Sequence, residues 1–182
     1  GIIKENENKL KYAIKKHFIR NATYYLSSGK RTTEYLVHYG AARENIFHYP
    51  FTSLKKEDIL TENLTQEDKD RVKKKLQMKE KKIVLAIGQF IYRKGFDVLL
   101  KACRKVDENV GVYIIGGDPT EEFLRMKQEF NLANVYFEGF KSKEDLIEYY
   151  KAADIFVLPT REDIWGLVIN EAMSYGLPII TT

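Results

Sequence analysis

Cysteine is almost absent from this chain of 182 residues, in which Cys103 is the only one. A single thiol excludes an internal disulfide and a cysteine-based metal cluster, and we expect Cys103 to be a core residue of an amphipathic helix. The chain also lacks a secretory-signal pattern and any apolar run of about 18 residues, which a membrane-spanning helix needs. These absences predict a cytoplasmic protein.

An excess of charge of one sign is also lacking. The chain has 30 Lys and Arg side chains against 26 Asp and Glu side chains, a net charge of +4. This mild and mixed charge argues against nucleic acid as the partner, because nucleic-acid-binding domains concentrate basic side chains on one surface. Two nucleotide-binding patterns are missing as well: the P-loop Gly-x4-Gly-Lys-Ser/Thr and the dinucleotide-binding Gly-x-Gly-x-x-Gly.

A basic stretch occupies residues 1–20 and has a helical pattern from Lys9 to Arg20. Leu10 and Ile14 begin a narrow apolar stripe among lysines. We expect an ordinary surface helix, and the alternative is a basic amphipathic helix that lies on an anionic membrane. The segments that follow predict a strand at 23–27, a helix at 31–39 and a strand at 45–50 that ends at Pro50.

Residues 51–82 differ in composition from their neighbours. Lysines and acids dominate, and Thr65 and Asp68 have the spacing of a capping box at a helix start. The apolar residues Val72 and Leu76 continue that helix to about residue 78. We therefore assign an interdomain linker and helix to 51–82, between a segment too short to be a whole domain and a new α/β pattern.

From residue 83 onward, strands alternate with helices. Such alternation predicts right-handed βαβ units on a parallel sheet, whose ligands lie at the carboxyl ends of the strands. The predicted strands are 83–87, 111–115, 134–137, 155–158 and 179–180. The predicted helices are 96–106, 120–130, 142–152 and one that follows Gly166 and stops at Gly176. The loops after residues 87, 115, 137 and 158 are therefore the candidate ligand sites.

The loop after residue 158 is the most informative of these. Gly166 leaves room for a ligand to approach the backbone, and the free amides at a helix start attract a phosphate or a carboxylate. Two acids flank that start, since Asp163 precedes the helix and Glu171 lies roughly one to two turns into it. This pair could bracket a polyol beside a bound phosphate, although an acid in a loop is more often simply solvated.

The loop 88–95 is the basic counterpart of this acidic loop. Gly88 and Gly95 bracket the adjacent cations Arg93 and Lys94 ahead of an apolar helix. Fixed positive charge at this position could bind a phosphate. A glycine turn that simply exposes two cations would have the same sequence.

The two remaining loops are less specific. Gly116 and Gly117 would let the backbone come close to a ligand, although a sharp turn from strand to helix needs the same residues. Phe140, which follows Gly139, offers an aromatic ring that suits the edge of a nucleobase. Alone, neither loop identifies a ligand.

Four segments together carry a family resemblance. They are Gly88–Leu100, with Lys94, Gly95 and Asp97 in register with Lys-Gly-x-Asp-x-Leu; the glycine turn Gly116–Gly117; Val135–Gly139 as Val-x-Phe-x-Gly; and Asp163–Glu171 as Glu-x7-Glu, followed by Ala-Met-x-x-Gly-x-Pro-Ile-Ile. In this order they resemble the nucleotide-sugar-dependent glycosyltransferases of the GT-B fold, in particular the large retaining group called family 4 or group 1. The resemblance covers about residues 22–182.

The resemblance implies an α/β fold with a Rossmann-like parallel sheet flanked by helices. Residues 83–182 would be the nucleotide-sugar donor domain of a GT-B fold, truncated at its C-terminus. Residues 1–50 would be a remnant of the N-terminal domain, its closing segment, which binds the acceptor in the family. The chain would then be a fragment, inactive by itself.

The resemblance also implies roles for the site residues. Lys94 would hold the donor pyrophosphate, Glu171 the ribose hydroxyls and Asp163 the transferred sugar, with the amides of Gly166 and Leu167 on the phosphate. A lysine and a helix dipole can stabilise the departing diphosphate, so we expect neither cofactor nor metal. The further donor-binding candidates are Gly88, Gln89, Arg93, Gly116, Gly117 and Phe140.

The implied reaction is retaining transfer from a UDP-sugar, the commonest donor in the family, in polysaccharide or glycoconjugate biosynthesis. The acceptor would be a carbohydrate or a lipid-linked molecule, and a lipid-linked one would suit peripheral contact with the inner face of a membrane. Two other functions remain open: a non-catalytic nucleotide-sugar-binding module and a nucleotide-sugar epimerase-like enzyme.

Two positions depart from the family pattern. Gln89 stands where the family usually has a phosphate-binding Arg, so that either Arg93 compensates or the phosphate site is weaker. Asp163 replaces a Glu, which keeps the carboxylate but shortens its reach by a methylene group. Glu162, out of register by one residue, is the neighbouring alternative.

Overall fold

The computed structural model of the chain describes residue 3 and residues 6–49, 51–62, 64–163 and 165–182. The chain divides into two compact units, Gly1–Thr52 and Ser53–Thr182. The stretch 51–82, predicted as a linker and helix, therefore falls almost entirely within the second unit. None of the helices in these described ranges has the length and apolar character needed to cross a lipid bilayer.

The described residues of the first unit form two α-helices and a two-stranded parallel sheet. Its elements are α1 Lys9–Arg20, β1 Tyr25–Ser27, α2 Lys30–His38 and β2 Ile46–His48. All four were predicted, with ends that differ by at most two residues from those observed, and α1 has the bounds that its sequence pattern indicated. Pro50, predicted to end β2, lies outside the described residues.

The helix α1 has the character of a surface helix. The side-chain oxygen of Asn8 accepts a hydrogen bond of 2.8 Å from the Leu10 amide and so caps the helix start. Within Lys9–Arg20, which the structure describes completely, no side chain is buried. Leu10 and Ile14, which begin the apolar stripe, are 68% and 47% exposed.

The second unit is a five-stranded parallel sheet with helices on both faces. Its order β5-β4-β3-β6-β7 is that of a Rossmann-like sheet, which confirms the predicted fold class. The strands are β3 Lys82–Ile87, β4 Val110–Ile115, β5 Val135–Glu138, β6 Ile155–Leu158 and β7 Ile179–Thr181. The helices are α3 Gln66–Lys75, α4 Phe96–Cys103, α5 Glu121–Glu129, α6 Lys143–Ala152 and α7 Leu167–Ser174.

The central strands bury side chains on both faces of the sheet. In β3, Leu85 belongs to the apolar cluster that includes residues of α6 and α7, while Ala86 belongs to the cluster formed with α4 and α5. This two-sided burial explains the continuous apolar runs that predicted the strands. Cys103 is a buried member of the second cluster, as predicted, and burial raises the pKa of its thiol to about 11.

Two helix ends differ from the prediction. The capping box at the start of α3 is confirmed, since Thr65 and Asp68 exchange side-chain to amide hydrogen bonds of 3.1 and 3.2 Å. The helix stops at Lys75 rather than at about residue 78, and Gln77 then turns with a φ of 57°. The helix α4 ends at Cys103 rather than at residue 106, where consecutive tight turns replace helical hydrogen bonds.

A buried ion pair fixes α3 to the amino-terminal edge of the sheet. The carboxylate of Asp154 accepts hydrogen bonds from Lys73 Nζ at 3.0 Å and from the Ile83 amide at 2.9 Å. Burial opposes ionisation of Asp154, but these bonds outweigh it, so that its pKa is lowered. This contact, which could not be predicted from the sequence, makes the helix of the predicted linker part of the second unit.

Candidate functional site

Two loops meet where the order of the strands reverses. The chain adds β4 and β5 on one side of β3, and β6 and β7 on its other side. The loop after β3 leads to α4 on one face of the sheet, while the loop after β6 leads to α7 on the opposite face. A crevice between such diverging loops is where doubly wound sheets bind their ligands.

A buried aromatic ring anchors the loop after β3. Phe90 makes edge-to-face contacts with Phe96, Phe123 and Phe137, with ring centroids 5.2 to 5.5 Å apart. Beyond this anchor, Tyr92–Lys94 forms a 3₁₀ turn. The cations Arg93 and Lys94 therefore lie on a short turn that Phe90 anchors to the apolar core. The role of Phe90 could not be predicted from the sequence, because one aromatic residue in a loop does not indicate whether it packs in the core.

The loops approach one another closely at two glycines. A Cβ atom on Gly95 would lie 1.8 Å from the carbonyl oxygen of Pro159, and one on Gly116 would lie 1.7 Å from that of Gly88. Gly95 also has a φ of 70°, which L side chains rarely adopt. Gly95 thus permits contact between the loops after β3 and β6, and Gly116 permits contact between the loops after β3 and β4.

The structure brings Lys94 and Asp163 into direct contact. The Lys94 ammonium donates a hydrogen bond to Oδ2 of Asp163 and forms an ion pair with it. Burial favours the neutral form of the Asp163 carboxyl, but hydrogen bonds from Lys94 and from two backbone amides outweigh it and lower its pKa to about 2. Positive and negative charge thus lie side by side at the crevice.

Asp163 also occupies the start of α7. Its Oδ1 accepts hydrogen bonds from the amides of Gly166 at 3.0 Å and Trp165 at 3.2 Å. The Gly166 amide, which the sequence analysis assigned to a phosphate, is therefore held by Asp163 in this structure. Leu167 is the first residue of the helix, whose first amides have no carbonyl acceptor within the helix.

Glu171 is held by a tyrosine that the sequence analysis did not select. The hydroxyl of Tyr150, in α6, donates a hydrogen bond of 2.8 Å to Oε2 of Glu171. The Tyr150 side chain is 3% exposed, and its ring stacks on that of Tyr175. Burial raises the pKa of Tyr150, so that it stays a neutral donor. This contact becomes visible only in the fold, which brings α6 close to α7. In the sequence, an aromatic residue in a helix normally predicts core packing and not a bond to a site residue.

The other predicted site residues occupy neighbouring loop ends. Gln89 is exposed on the loop after β3, and Gly117 has open space around its Cα atom. Phe140 is 87% exposed after the edge strand β5, so its ring is available to a ligand but is two strands away from β3. In the ranges that the structure describes, no group of three or more His, Cys, Asp and Glu side chains is arranged to hold a metal ion.

Comparison with known proteins gives the family from the sequence and a shared fold from solved structures. The family of glycosyl transferases group 1 matches residues 67–182. A 41.2 kDa protein of the cps region of Klebsiella pneumoniae is 33% identical over 119 residues, which are 63% of this chain and 32% of that protein. The lipopolysaccharide glucosyltransferase WaaG of Escherichia coli K12 is 29% identical over 108 residues, or 57% of this chain and 28% of WaaG.

Solved structures share the fold over almost the whole chain. Anabaena HepE, crystallised in complex with UDP, superposes with a TM-score of 0.78 at 16% identity, covering 97% of this chain and 50% of HepE. The chain spans less than a third of the length of the two curated relatives. With the match over residues 67–182, the chain belongs to the group 1 glycosyl transferases.

Proposed function

We propose that the whole protein transfers a sugar from a nucleoside diphosphate to an acceptor, and that Ser53–Thr182 carries most of the nucleotide-sugar site. The observation that carries this proposal is the Lys94–Asp163 pair at the crevice where the strand order reverses. A cation suits the diphosphate of such a donor, whereas a carboxylate suits the hydroxyl groups of its sugar.

The main electrostatic task is to stabilise the diphosphate as it leaves the sugar. Lys94 supplies a positive charge, and the start of α7 supplies amides and the positive end of a helix dipole. Arg93 lies next to Lys94 on the same turn and compensates for Gln89, which replaces the expected arginine. With these groups in place, the reaction is metal-independent and needs no cofactor.

The two acids act on the sugar side of the donor. When the diphosphate replaces Asp163 as the partner of Lys94, the Asp163 carboxylate is free to contact the transferred sugar. Glu171 binds the ribose hydroxyls, and Tyr150 orients its carboxylate through a hydrogen bond of 2.8 Å. We assign the catalytic roles to Asp163 and Glu171 and propose transfer with retention of configuration, as the family resemblance implies.

Uracil is the proposed base of the donor. Support comes from HepE, which was crystallised with UDP and with UDP-glucose and shares the fold of this chain. The exposed ring of Phe140 and the open backbone at Gly117 are the candidates for contact with the nucleoside. A carbohydrate or lipid-linked acceptor is proposed, in polysaccharide or glycoconjugate biosynthesis in the cytoplasm. A lipid-linked acceptor would suit contact between α1 and the inner face of a membrane.

The test is a calorimetric titration of the protein with UDP, GDP and ADP. One nucleotide should bind, and Lys94→Ala and Glu171→Ala should each weaken its binding by about tenfold or more, the loss expected for one charged hydrogen bond. Lys82→Ala is the matched control, because Lys82 is an exposed lysine at the opposite end of β3. No binding to any of the three nucleotides, in a protein shown to be folded, would contradict the proposal.

Product analysis with the whole protein separates transfer from the alternatives. Sugar transfer should release the nucleoside diphosphate and extend an acceptor. A nucleotide sugar that is converted into its epimer without an acceptor would identify an epimerase instead. Tight nucleotide-sugar binding without turnover would identify a binding module.

A further inference from the structure

Arg161 joins three elements around the crevice, although it lies outside the four segments that carry the family resemblance. Its guanidinium donates two hydrogen bonds of 2.7 Å to the two carboxylate oxygens of Asp97, in the first turn of α4. A third hydrogen bond of 2.7 Å reaches the carbonyl oxygen of Tyr92. The Tyr92 ring lies against the same guanidinium, 4.1 Å from its Cζ atom.

The backbone beside Arg161 strengthens this connection. The Arg161 amide donates a hydrogen bond of 2.8 Å to the carbonyl oxygen of Arg93, which also accepts one of 2.9 Å from the Thr160 hydroxyl. The turn Tyr92–Lys94 is thus bound to the loop after β6 at two successive carbonyl groups. Lys94 is the next residue of this turn, and Asp163 follows Arg161 by two positions.

Only arginine can make this set of contacts. Its planar guanidinium donates in parallel to both oxygens of a carboxylate and still offers a further N–H group and a face for an aromatic ring. A lysine carries a single ammonium and would replace at most a part of them. The carboxylate responds to the contact, since the hydrogen bonds from Arg161 lower the pKa of Asp97.

We propose that Arg161 and Asp97 form a clamp that positions Lys94 and Asp163 for the donor diphosphate and its sugar. The inference rests on the proposed function. Arg161 is a positioning residue, because its guanidinium is engaged by Asp97, Tyr92 and the Tyr92 ring rather than presented to the crevice. The clamp fixes the backbone on both sides of the ion pair. Lys94 is therefore already in position when a diphosphate binds.

The experiment compares UDP with uridine in three variants of the protein, with GDP and ADP and their nucleosides in parallel. Arg161→Lys and Asp97→Asn should each lower the affinity for the diphosphate by about tenfold, while the affinity for the nucleoside changes by less than about twofold. Lys101→Gln is the matched control, because Lys101 approaches the same Asp97 carboxylate at 3.6 Å from an exposed position on α4 itself. This variant should bind both ligands like the unsubstituted protein.

A second readout needs no nucleotide. In Arg161→Lys and Asp97→Asn, the pKa of Asp163, followed by NMR, should rise from about 2 because Lys94 is no longer held against it. Thermal melting establishes that each variant is folded at the temperature of the measurement, and Asp97→Asn keeps the shape of the side chain if Arg161→Lys does not fold. In Lys101→Gln this pKa should stay where it is.

The outcomes separate the clamp from the proposed function. Unchanged diphosphate affinity in both clamp variants, or equal losses for diphosphate and nucleoside, would overturn the positioning role while leaving the donor site in place. If the unsubstituted protein binds none of the nucleotides, the proposed function fails and the role of the clamp in donor binding fails with it. An Asp163 pKa that rises in the clamp variants would even then show that the clamp positions the ion pair.

Discussion

Lys94 and Asp163 are 69 residues apart in the sequence and form an ion pair with one another. The family resemblance gives them separate tasks, the diphosphate for Lys94 and the sugar for Asp163. In this structure each neutralises the other, and Asp163 also accepts hydrogen bonds from the amides of Trp165 and Gly166, just before α7. A donor bound as we propose would have to replace the contacts between Lys94 and Asp163, and the effect of this ion pair can be measured.

Removal of Lys94 should raise the pKa of Asp163. In Lys94→Met, burial still raises the pKa of Asp163, and only the two backbone hydrogen bonds remain to lower it. The pKa should therefore move from about 2 toward the ordinary value of 3.8. NMR detection of the carboxyl carbon during a pH titration measures this directly. A pKa that stays near 2 would mean that the amides of Trp165 and Gly166 alone hold the charge.

The same pair should make part of the stability dependent on acid. Because the pKa of Asp163 is lower in the folded chain than in the unfolded one, its contribution is complete above the ordinary value of 3.8 and is lost as the pH falls toward about 2. Urea unfolding between pH 6 and about pH 2 should show a smaller loss for Asp163→Asn than for the unsubstituted protein. Identical pH profiles would exclude this contribution.

Loss of the Tyr150 hydroxyl should affect both stability and nucleotide binding. Tyr150→Phe removes a hydrogen bond to the Glu171 carboxylate and should lower the free energy of unfolding by about 1 to 2 kcal/mol. Glu171 would also lose its fixed orientation, so nucleotide affinity should fall.

Tyr136→Phe is the matched control for Tyr150→Phe. It removes a comparable hydrogen bond of 2.6 Å, from the Tyr136 hydroxyl to Glu80, which precedes the amino-terminal end of β3. Stability should decrease in both variants, whereas nucleotide affinity should decrease in Tyr150→Phe alone. Equal nucleotide affinities would show that Glu171 does not depend on Tyr150.

Breaking the buried ion pair at the opposite edge of the sheet should be costly for stability. Asp154→Ala leaves the buried ammonium of Lys73 without its carboxylate and should lower the free energy of unfolding by about 3 to 5 kcal/mol. Lys82→Met removes an exposed partner of the same carboxylate, 3.3 Å away, and should cost about 1 kcal/mol or less. Urea unfolding curves of both variants measure the difference, and similar values would argue that Lys73 is solvated.

Gly116→Ala should disturb the contact between two loops. The added Cβ atom would lie 1.7 Å from the Gly88 carbonyl oxygen, so the backbone must move and the loop with Lys94 moves with it. We expect a loss of stability of about 2 kcal/mol or more together with weaker nucleotide binding. Gly139→Ala is the control, because its Cβ would have nothing within 4 Å and should leave both quantities nearly unchanged.

The elements of the fold could be predicted because their signals are local. The run Ile155–Leu158 was predicted with both bounds correct, and the Thr65–Asp68 capping box is present as expected. Apolar runs between turn residues suffice for a strand that is buried on both faces. Helix ends such as that of α4 were less accurate, because the last turn is decided by competing turn hydrogen bonds.

The contacts that organise the site could not be predicted in this way. Arg161 and Asp97 lie 64 residues apart, and Tyr150 and Glu171 lie 21 residues apart on different helices. Asp97 and Glu171 belong to segments that carry the family resemblance, but nothing in the local sequence identifies Arg161 or Tyr150 as their partners, which only the fold brings to them. The family resemblance selected Lys94 and Asp163, but it did not indicate that they bind each other.

The pairing of β3 with β6 also has a consequence for how the chain folds. It joins Val84 to Ile155, so it cannot form until β6 has been synthesised, after most of the second unit. Lys94 and Asp163 therefore meet, and the crevice forms, only when β6 has docked against β3. A nucleotide that contacts both loops would bind the docked state alone, which would slow the separation of β6 from β3 and protect this strand against proteolysis.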